Sequence, residues 1–245
     1  MARSTSGGTQ AAKVIRRYVE RAERASRWHG ALAFLAAAHA VKRDEPTLYE
    51  RRIRELLGHG ECVMGILDSY PHPYPLLPPA ACEELERDQV TWRWRLRGRA
   101  HRLSRVHGDF HPWNLLFRTG TDFSILDRRR GEWGEPADDV AALAVNYLFF
   151  GMRKLQAGGE RGVAEPFRDL FPEFLNAYVT SSGDTKVLET LPPCFAFRLL
   201  VLAHPRWYPT LADVTRAELL RIARCMVVST RFDPADLSWL CGVGR

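Results

Sequence analysis

The segment Val106-His107-Gly108-Asp109-Phe110-His111-Pro112-Trp113-Asn114 gathers a carboxylate, an amide and two imidazoles within nine residues. A second carboxylate follows thirteen residues after Asn114, at the end of Ile125-Leu126-Asp127. Phosphoryl transfer asks a protein for little more than this: a carboxylate that orients an attacking hydroxyl and takes its proton, and oxygen ligands that hold magnesium on the phosphates. A loop Asp followed five positions later by Asn, with a further Asp closing the next pair of strands, meets that requirement. Asp109 reads as the base, and Asn114 and Asp127 as the magnesium ligands.

Short strands must hold such a loop. Leu103–Val106, Leu115–Phe117 and Phe123–Leu126 are apolar runs, and the polar, glycine-containing stretch 118–122 between the last two has the composition of a hairpin turn. After Pro136 a helix is expected, with Val140, Leu143, Ala144, Tyr147 and Leu148 as its apolar stripe. Asp138 and Asp139 fall in its first turn, where negative charge suits the helix dipole. Upstream the pattern is helical: Thr9 to about Lys42, then Pro46 to Gly58 with Leu48, Ile53, Leu56 and Leu57 on one face, then Ala80 to about Arg99. Pro71 to Pro79 holds five prolines in nine residues and reads as a rigid extended connection. Downstream, a loop is expected from Gly158 to Pro166, followed by helical pieces broken at Pro172, at Ser181-Ser182-Gly183, at Pro192-Pro193, at Pro205 to Pro209 and at Pro234.

Composition narrows the function. With 245 residues, 46% of them hydrophobic, the chain has enough apolar material for a real core. The longest apolar run, Val140 to Phe150, is interrupted by Asn146 and falls well short of the roughly 20 residues a membrane span needs. No apolar leader occupies the polar stretch Met1 to Gln10, so the cytoplasm is the expected compartment. Cys62, Cys82, Cys194, Cys225 and Cys241 are odd in number and lack paired spacing, which predicts reduced, mostly buried thiols rather than a zinc or redox site. The net charge of +6 decides little alone. Trp92 to Arg97 alternates aromatic and basic residues as a nucleic-acid surface would, but on a helical pattern it reads more simply as an amphipathic helix with an arginine face.

His107-Gly108-Asp109, His111-Pro112, Asn114, the apolar-flanked Asp127 and then Gly134-Glu135-Pro136-Ala137-Asp138-Asp139-Val140-Ala141 together resemble the C-terminal lobe of the aminoglycoside phosphotransferase and choline kinase family. The helix Ala31–Ala40, ending Leu-x-x-x-His, resembles the helix that precedes that family's catalytic core. The resemblance covers Ala31 to Phe150. It implies a protein-kinase-like fold, here α+β and mainly α with a small β-hairpin catalytic region, in which Asp109 is the catalytic aspartate and Asn114 and Asp127 hold Mg2+ with ATP or GTP as co-substrate. His107 and Asp139 match positions that brace the catalytic loop. On this basis residues 1–30 form an N-terminal helical segment and 31–245 the lobe-like domain. Many relatives carry an acidic residue two places after the metal aspartate, where this chain has Arg129, which weakens the expectation of a cationic aminoglycoside substrate.

Each piece has a plainer reading by itself. His-Gly-Asp is a common turn, His111 caps a strand, Asp127 ends a strand, and Asp138-Asp139 caps a helix. Only their order carries the chemistry. His204-Pro205-Arg206-Trp207-Tyr208-Pro209 reads either as a substrate-pocket lining or as a packed connection, and Arg128-Arg129-Arg130 as a phosphate-attracting cluster or a solvated loop. A kinase of this type also needs a strand-rich nucleotide lobe with a glycine-rich loop and a lysine. The residues before His107 read as helix, and Ser6 to Lys13 is not a phosphate-binding loop. The expectation is therefore that the N-terminal β-lobe is absent, either because the chain is part of a longer product or because a separate chain supplies it. The competing expectation is a non-catalytic, kinase-like helical binding module.

Overall fold

The computed structural model describes residues 29–58, 63–118, 122–127, 131–156 and 161–233, with backbone only for 154–156 and 161–169. The expectations for the N-terminal helical segment before residue 29, Ser6 to Lys13 included, for Arg128-Arg129-Arg130, for Cys62 and Cys241, and for Pro234 lie outside these residues. Helix α1 covers residues 29–40, and α2 (Pro46–Leu57), α3 (Val63–Ser69) and α4 (Pro79–Arg97) follow. Proline opens α2 and α4, where its missing N–H is no loss. Between α3 and α4 the proline-rich stretch is irregular, with a cis bond at His72–Pro73, and buries Leu77.

Two two-stranded antiparallel sheets make up the strands of the described residues. Strand β1 (Ser104–Arg105) pairs with β4 (Trp133–Gly134), and β2 (Leu115–Phe117) with β3 (Phe123–Ile125) in the register Leu115↔Ile125. The ladder continues past β3, because Leu126 N donates to Asn114 O at 2.9 Å. Asn114 therefore faces Leu126 across the open end of the hairpin, one residue from Asp127. An isolated bridge, Lys42↔Ser104, ties the exit of α1 to β1.

The core is helical. Helix α5 (Pro136–Gln156) packs on α6 (Arg161–Ser182) and α7 (Val187–Ala203), and α7 packs on α8 (Asp213–Val228). The chain is thus α+β and mainly α. No helix of the described residues is long and apolar enough to cross a membrane. Two expected helix breaks and the end of the expected loop Gly158 to Pro166 are corrected. Helix α6 starts at Arg161 and runs through Pro172, and α7 runs through Pro192 and Pro193. A proline inside a helix costs about 3 kcal/mol, but burial of nearly all of α7 outweighs it. The carbonyl that Pro192 leaves without a helical partner, Leu188 O, accepts from Phe232 N at 2.7 Å instead. Of the three described cysteines only Cys194 is buried, while Cys82 and Cys225 are half-buried; all three are free thiols.

The alternating stripe on α4 divides by face. Trp92 is 2% exposed and donates its indole N–H to Val227 O at 2.8 Å, whereas Trp94 is 57% exposed between the guanidinium groups of Arg93 and Arg97.

Candidate active site

The loop from His107 to Asn114 is held from its own backbone outward. Gly108 has φ 85°, a left-handed conformation open to glycine, and it lets two successive amides turn toward one acceptor. His107 N donates to Asp139 Oδ2 at 2.6 Å and Gly108 N to Asp139 Oδ1 at 2.8 Å. Asp139 is fully buried in the first turn of α5. Burial alone would raise its pKa, but the hydrogen bond and charge of His39 and the His107 amide hold it below the ordinary carboxylate range. His39, near the end of α1, lies 3.3 Å from Asp139 Oδ2 through Nε2 and 2.8 Å from the Tyr178 hydroxyl through Nδ1. Elements α1 and α6 are thus linked, through His39 and Tyr178, to the α5 carboxylate that holds the backbone of the loop.

His107 is itself 2% exposed. Its Nδ1 accepts from Asp109 N at 3.3 Å, which leaves Nε2–H to donate to Leu126 O at 2.8 Å. That bond ties the loop to the residue before Asp127. Phe110 anchors the middle, fully buried and stacked on Phe34 of α1 at 5.7 Å.

Asp109 O accepts twice, from His111 N and from Asn114 Nδ2, both at 2.9 Å. The second bond fixes the Asn114 amide with Oδ1 turned away from that carbonyl. His111 caps the short 3-10 turn Pro112–Asn114 by accepting from Trp113 N, so its Nε2, 3.6 Å from Asp109 Oδ2, faces the carboxylate. Asp127 is exposed and has φ 52°, the one left-handed non-glycine residue among those described. A non-glycine residue in that region marks local strain of order 1 kcal/mol, and Asp tolerates it better than most. Asn114 and Asp127 offer oxygen donors at the same end of the β2–β3 hairpin, the hard and sparse set magnesium accepts when phosphates and waters complete its shell. No group of three or more His, Cys, Asp or Glu able to hold a metal occurs among the described residues, so an all-protein cage is not what these residues build.

The residue that sequence reasoning missed is Arg198 of α7. Its Nη1 donates to Asp109 Oδ1, its Nε and Nη2 to Asp138 Oδ1 at 3.0 and 2.7 Å, and its Nη2 also to Gly108 O at 3.2 Å. Burial opposes its charge, but Asp138 and Asp109 overturn that and hold the guanidinium above its ordinary range. One signal was present: a single arginine inside the apolar run Cys194 to Ala203 needs a buried partner. Asp138 is that partner as well as a helix-start residue. A second buried cation braces the flank. Arg102 bonds Glu135 through Nε and Nη2 and Asp184 through Nη1 and Nη2, and Tyr49 and Thr190 also donate to Glu135.

The connection after α7 is packed at its start. His204 is fully buried, 3.0 Å from Ser69 Oγ and with its ring tilted against that of Trp207 at 4.1 Å, its Nδ1 accepting from Arg206 N. Its Nε2 therefore donates to the serine and does not act as its base. Tyr208 instead turns to α5, its ring 5.0 Å from Phe149.

No curated protein and no solved structure matches the chain. The model of the phosphotransferase enzyme family (APH) matches residues 6–171, which include the whole of the loop, the hairpin and the start of α5 but not Tyr178, Asp184 or Arg198. With well over half of its 245 residues matched, the chain belongs to the phosphotransferase enzyme family, whose members are kinase-type transferases.

Proposed function

We propose that the chain transfers the γ-phosphate of ATP or GTP to a hydroxyl of a small molecule, with Asp109 as the catalytic carboxylate and Asn114 and Asp127 as magnesium ligands. The observation that carries this reading is the convergence of the three through one backbone: the Asn114 amide clamps the Asp109 carbonyl, and Asn114 O receives the amide of the residue before Asp127. In the reaction the acceptor oxygen bonds to the γ-phosphorus as the bond to the bridging oxygen breaks, the nucleoside diphosphate leaves, and the hydroxyl proton passes to Asp109. The oxygen assigned to that proton is Oδ2, on the His111 side, because Arg198 engages Oδ1. Magnesium, when bound, neutralises charge on the transferred and leaving phosphate oxygens. The family's phosphotransferase activity agrees with a kinase-like lobe, and the cytoplasm is the compartment proposed for it. The lysine and glycine-rich cover of the phosphates are assigned to a partner chain.

Asp109→Asn tests the assignment. Transfer from labelled ATP or GTP to a panel of hydroxyl compounds should fall by about 10² or more while magnesium-dependent nucleotide binding persists; unchanged transfer would refute the catalytic role. A second reading, a non-catalytic binding module, is favoured by the ion pair that occupies Asp109. Calorimetry that finds no magnesium-dependent nucleotide binding, with or without a candidate partner, would select it.

A further inference from the structure

One face of α5 runs outward from beneath the loop. Asp138, Ala142, Asn146, Phe150 and Arg153 recur at i, i+4, i+8, i+12 and i+15, and so share that face. Asp138 reaches Asp109 through Arg198. Farther along, Phe150 lies 5.6 Å from the ring of Trp113, which is 51% exposed in the loop. Asn146 is 4% exposed, and its Oδ1 has no hydrogen-bond partner among the described residues although its Nδ2 donates to Ala142 O. A buried acceptor left without a donor costs about 1–3 kcal/mol unless something supplies one. Arg153 is exposed, sits 5.8 Å over the Phe149 ring, and has no carboxylate within ion-pair distance among the described residues. Tyr208, packed on the same Phe149, feels Arg153 and Asp109 with opposite signs, beyond the burial that chiefly raises its pKa, so the cation and the carboxylate both stand near it.

We infer that this face is the acceptor site and that it takes a planar hydroxyl compound bearing an anionic group: hydroxyl at Asp109, ring system against Trp113 and Phe150, a hydrogen-bond donor to Asn146 Oδ1 where the ligand has one, and the anion at Arg153. This rests on the assignment of Asp109 to the reacting hydroxyl. Charge argues for an anion over a cation. Arg198 already engages both Asp109 and Asp138, whereas Arg153 has no carboxylate in ion-pair contact among the described residues, so the site offers an unmatched cation to the ligand and not an unmatched carboxylate pair. The seven-residue step from Asn146 to Arg153 spans on the order of 10 Å along the helix, which sets the spacing between a donor at Asn146 and the anionic group.

Equilibrium dialysis of the whole chain, without nucleotide, against three matched probes tests it: 4′-(hydroxymethyl)biphenyl-4-carboxylate, biphenyl-4-methanol, and the corresponding aminomethyl cation. The carboxylate should bind about tenfold tighter than the neutral alcohol and the cation more weakly than either. Arg153→Met should erase the difference between carboxylate and alcohol, Arg153→Glu should reverse it, and Trp113→Ala should weaken all three alike. Equal binding of the three, preference for the cation, no binding by any of them, or an unchanged preference in Arg153→Met would each overturn the inference. Nucleotide plays no part in this measurement. A chain that binds magnesium nucleotide without the charge preference loses this inference alone, and a chain with the preference but no magnesium-dependent nucleotide binding keeps the anion site and loses phosphotransfer, and with it the site's role as acceptor site.

Discussion

Arg198 joins Asp109 to Asp138: one guanidinium donates to a carboxylate of the loop and to a carboxylate of α5, and closes the triangle on the Gly108 carbonyl. The side chains of Arg198 and Asp138 are 7% and 11% exposed, and that of Asp109 22%. Removing the cation strands two carboxylates in a poorly solvated place, so Arg198→Met should lower stability by roughly 3–5 kcal/mol, read as a fall in the urea midpoint. The triple variant Arg198→Met, Asp109→Asn, Asp138→Asn removes the stranded charges with the cation and should recover most of the loss. If the triple variant is no more stable than Arg198→Met, the contribution of Arg198 is packing rather than charge.

Asp127 separates backbone from ligand. Its left-handed φ of 52° suits Asn almost as well as Asp and penalises Ala by about 1 kcal/mol. Asp127→Asn should therefore unfold within about 0.5 kcal/mol of the parent, and Asp127→Ala about 1 kcal/mol lower. Both should lose magnesium-dependent nucleotide binding. Parent-like binding by Asp127→Asn would remove Asp127 from the metal site.

The order of His107, Asp109, Asn114, Asp127 and Asp139 was legible because these residues belong to consecutive pieces of chain, a loop, a hairpin and a helix start, whose turn chemistry and periodicity are local. Arg198 was legible only as a lone arginine in an apolar run, without its partners, and Tyr178 was not legible. Arg198 reaches Asp109 across 89 residues and Tyr178 reaches His39 across 139, and only the packing of α6 and α7 on α5 brings them there. Strand β4 escaped for a different reason: two residues, Trp133 and Gly134, carry no periodicity, and their pairing depends on β1 being already in place. The prolines of α7 misled because their cost is local, whereas the burial that outweighs it and the Phe232 amide that serves Leu188 O come from elsewhere in the fold.

Trp92 and Trp94 are two residues apart and should respond in opposite ways. Trp92→Ala removes a 2% exposed ring and leaves Val227 O without its donor, which should cost about 3–5 kcal/mol. Trp94→Ala removes a largely solvated ring and should cost under about 0.5 kcal/mol. Thermal unfolding of the two variants measures the difference. A nucleic-acid role for the stripe would appear separately, as salt-sensitive RNA or DNA affinity that Trp94→Ala abolishes, and its absence would leave the helix with a packing role alone.

Acid should reach the loop through Asp139. Its pKa is depressed in the folded chain against burial, by His39 and by the His107 amide, while the unfolded value is about 3.9. A carboxyl whose folded pKa lies below its unfolded one contributes stability that is complete above about pH 5 and is lost as the pH falls through the folded value. Asp139→Asn should thus be less stable than the parent by roughly 3 kcal/mol at pH 7, having lost the charge-assisted bonds to the loop amides. That gap should narrow steadily below about pH 5, because the parent loses what the variant never had. Asp184, also depressed, with Arg102 and Lys42 opposing its burial, keeps its own acid dependence in both proteins and does not close the gap. Urea midpoints from pH 7 to 3 measure the convergence; parallel curves would mean that the Asp139 carboxylate holds the loop by shape and not by charge.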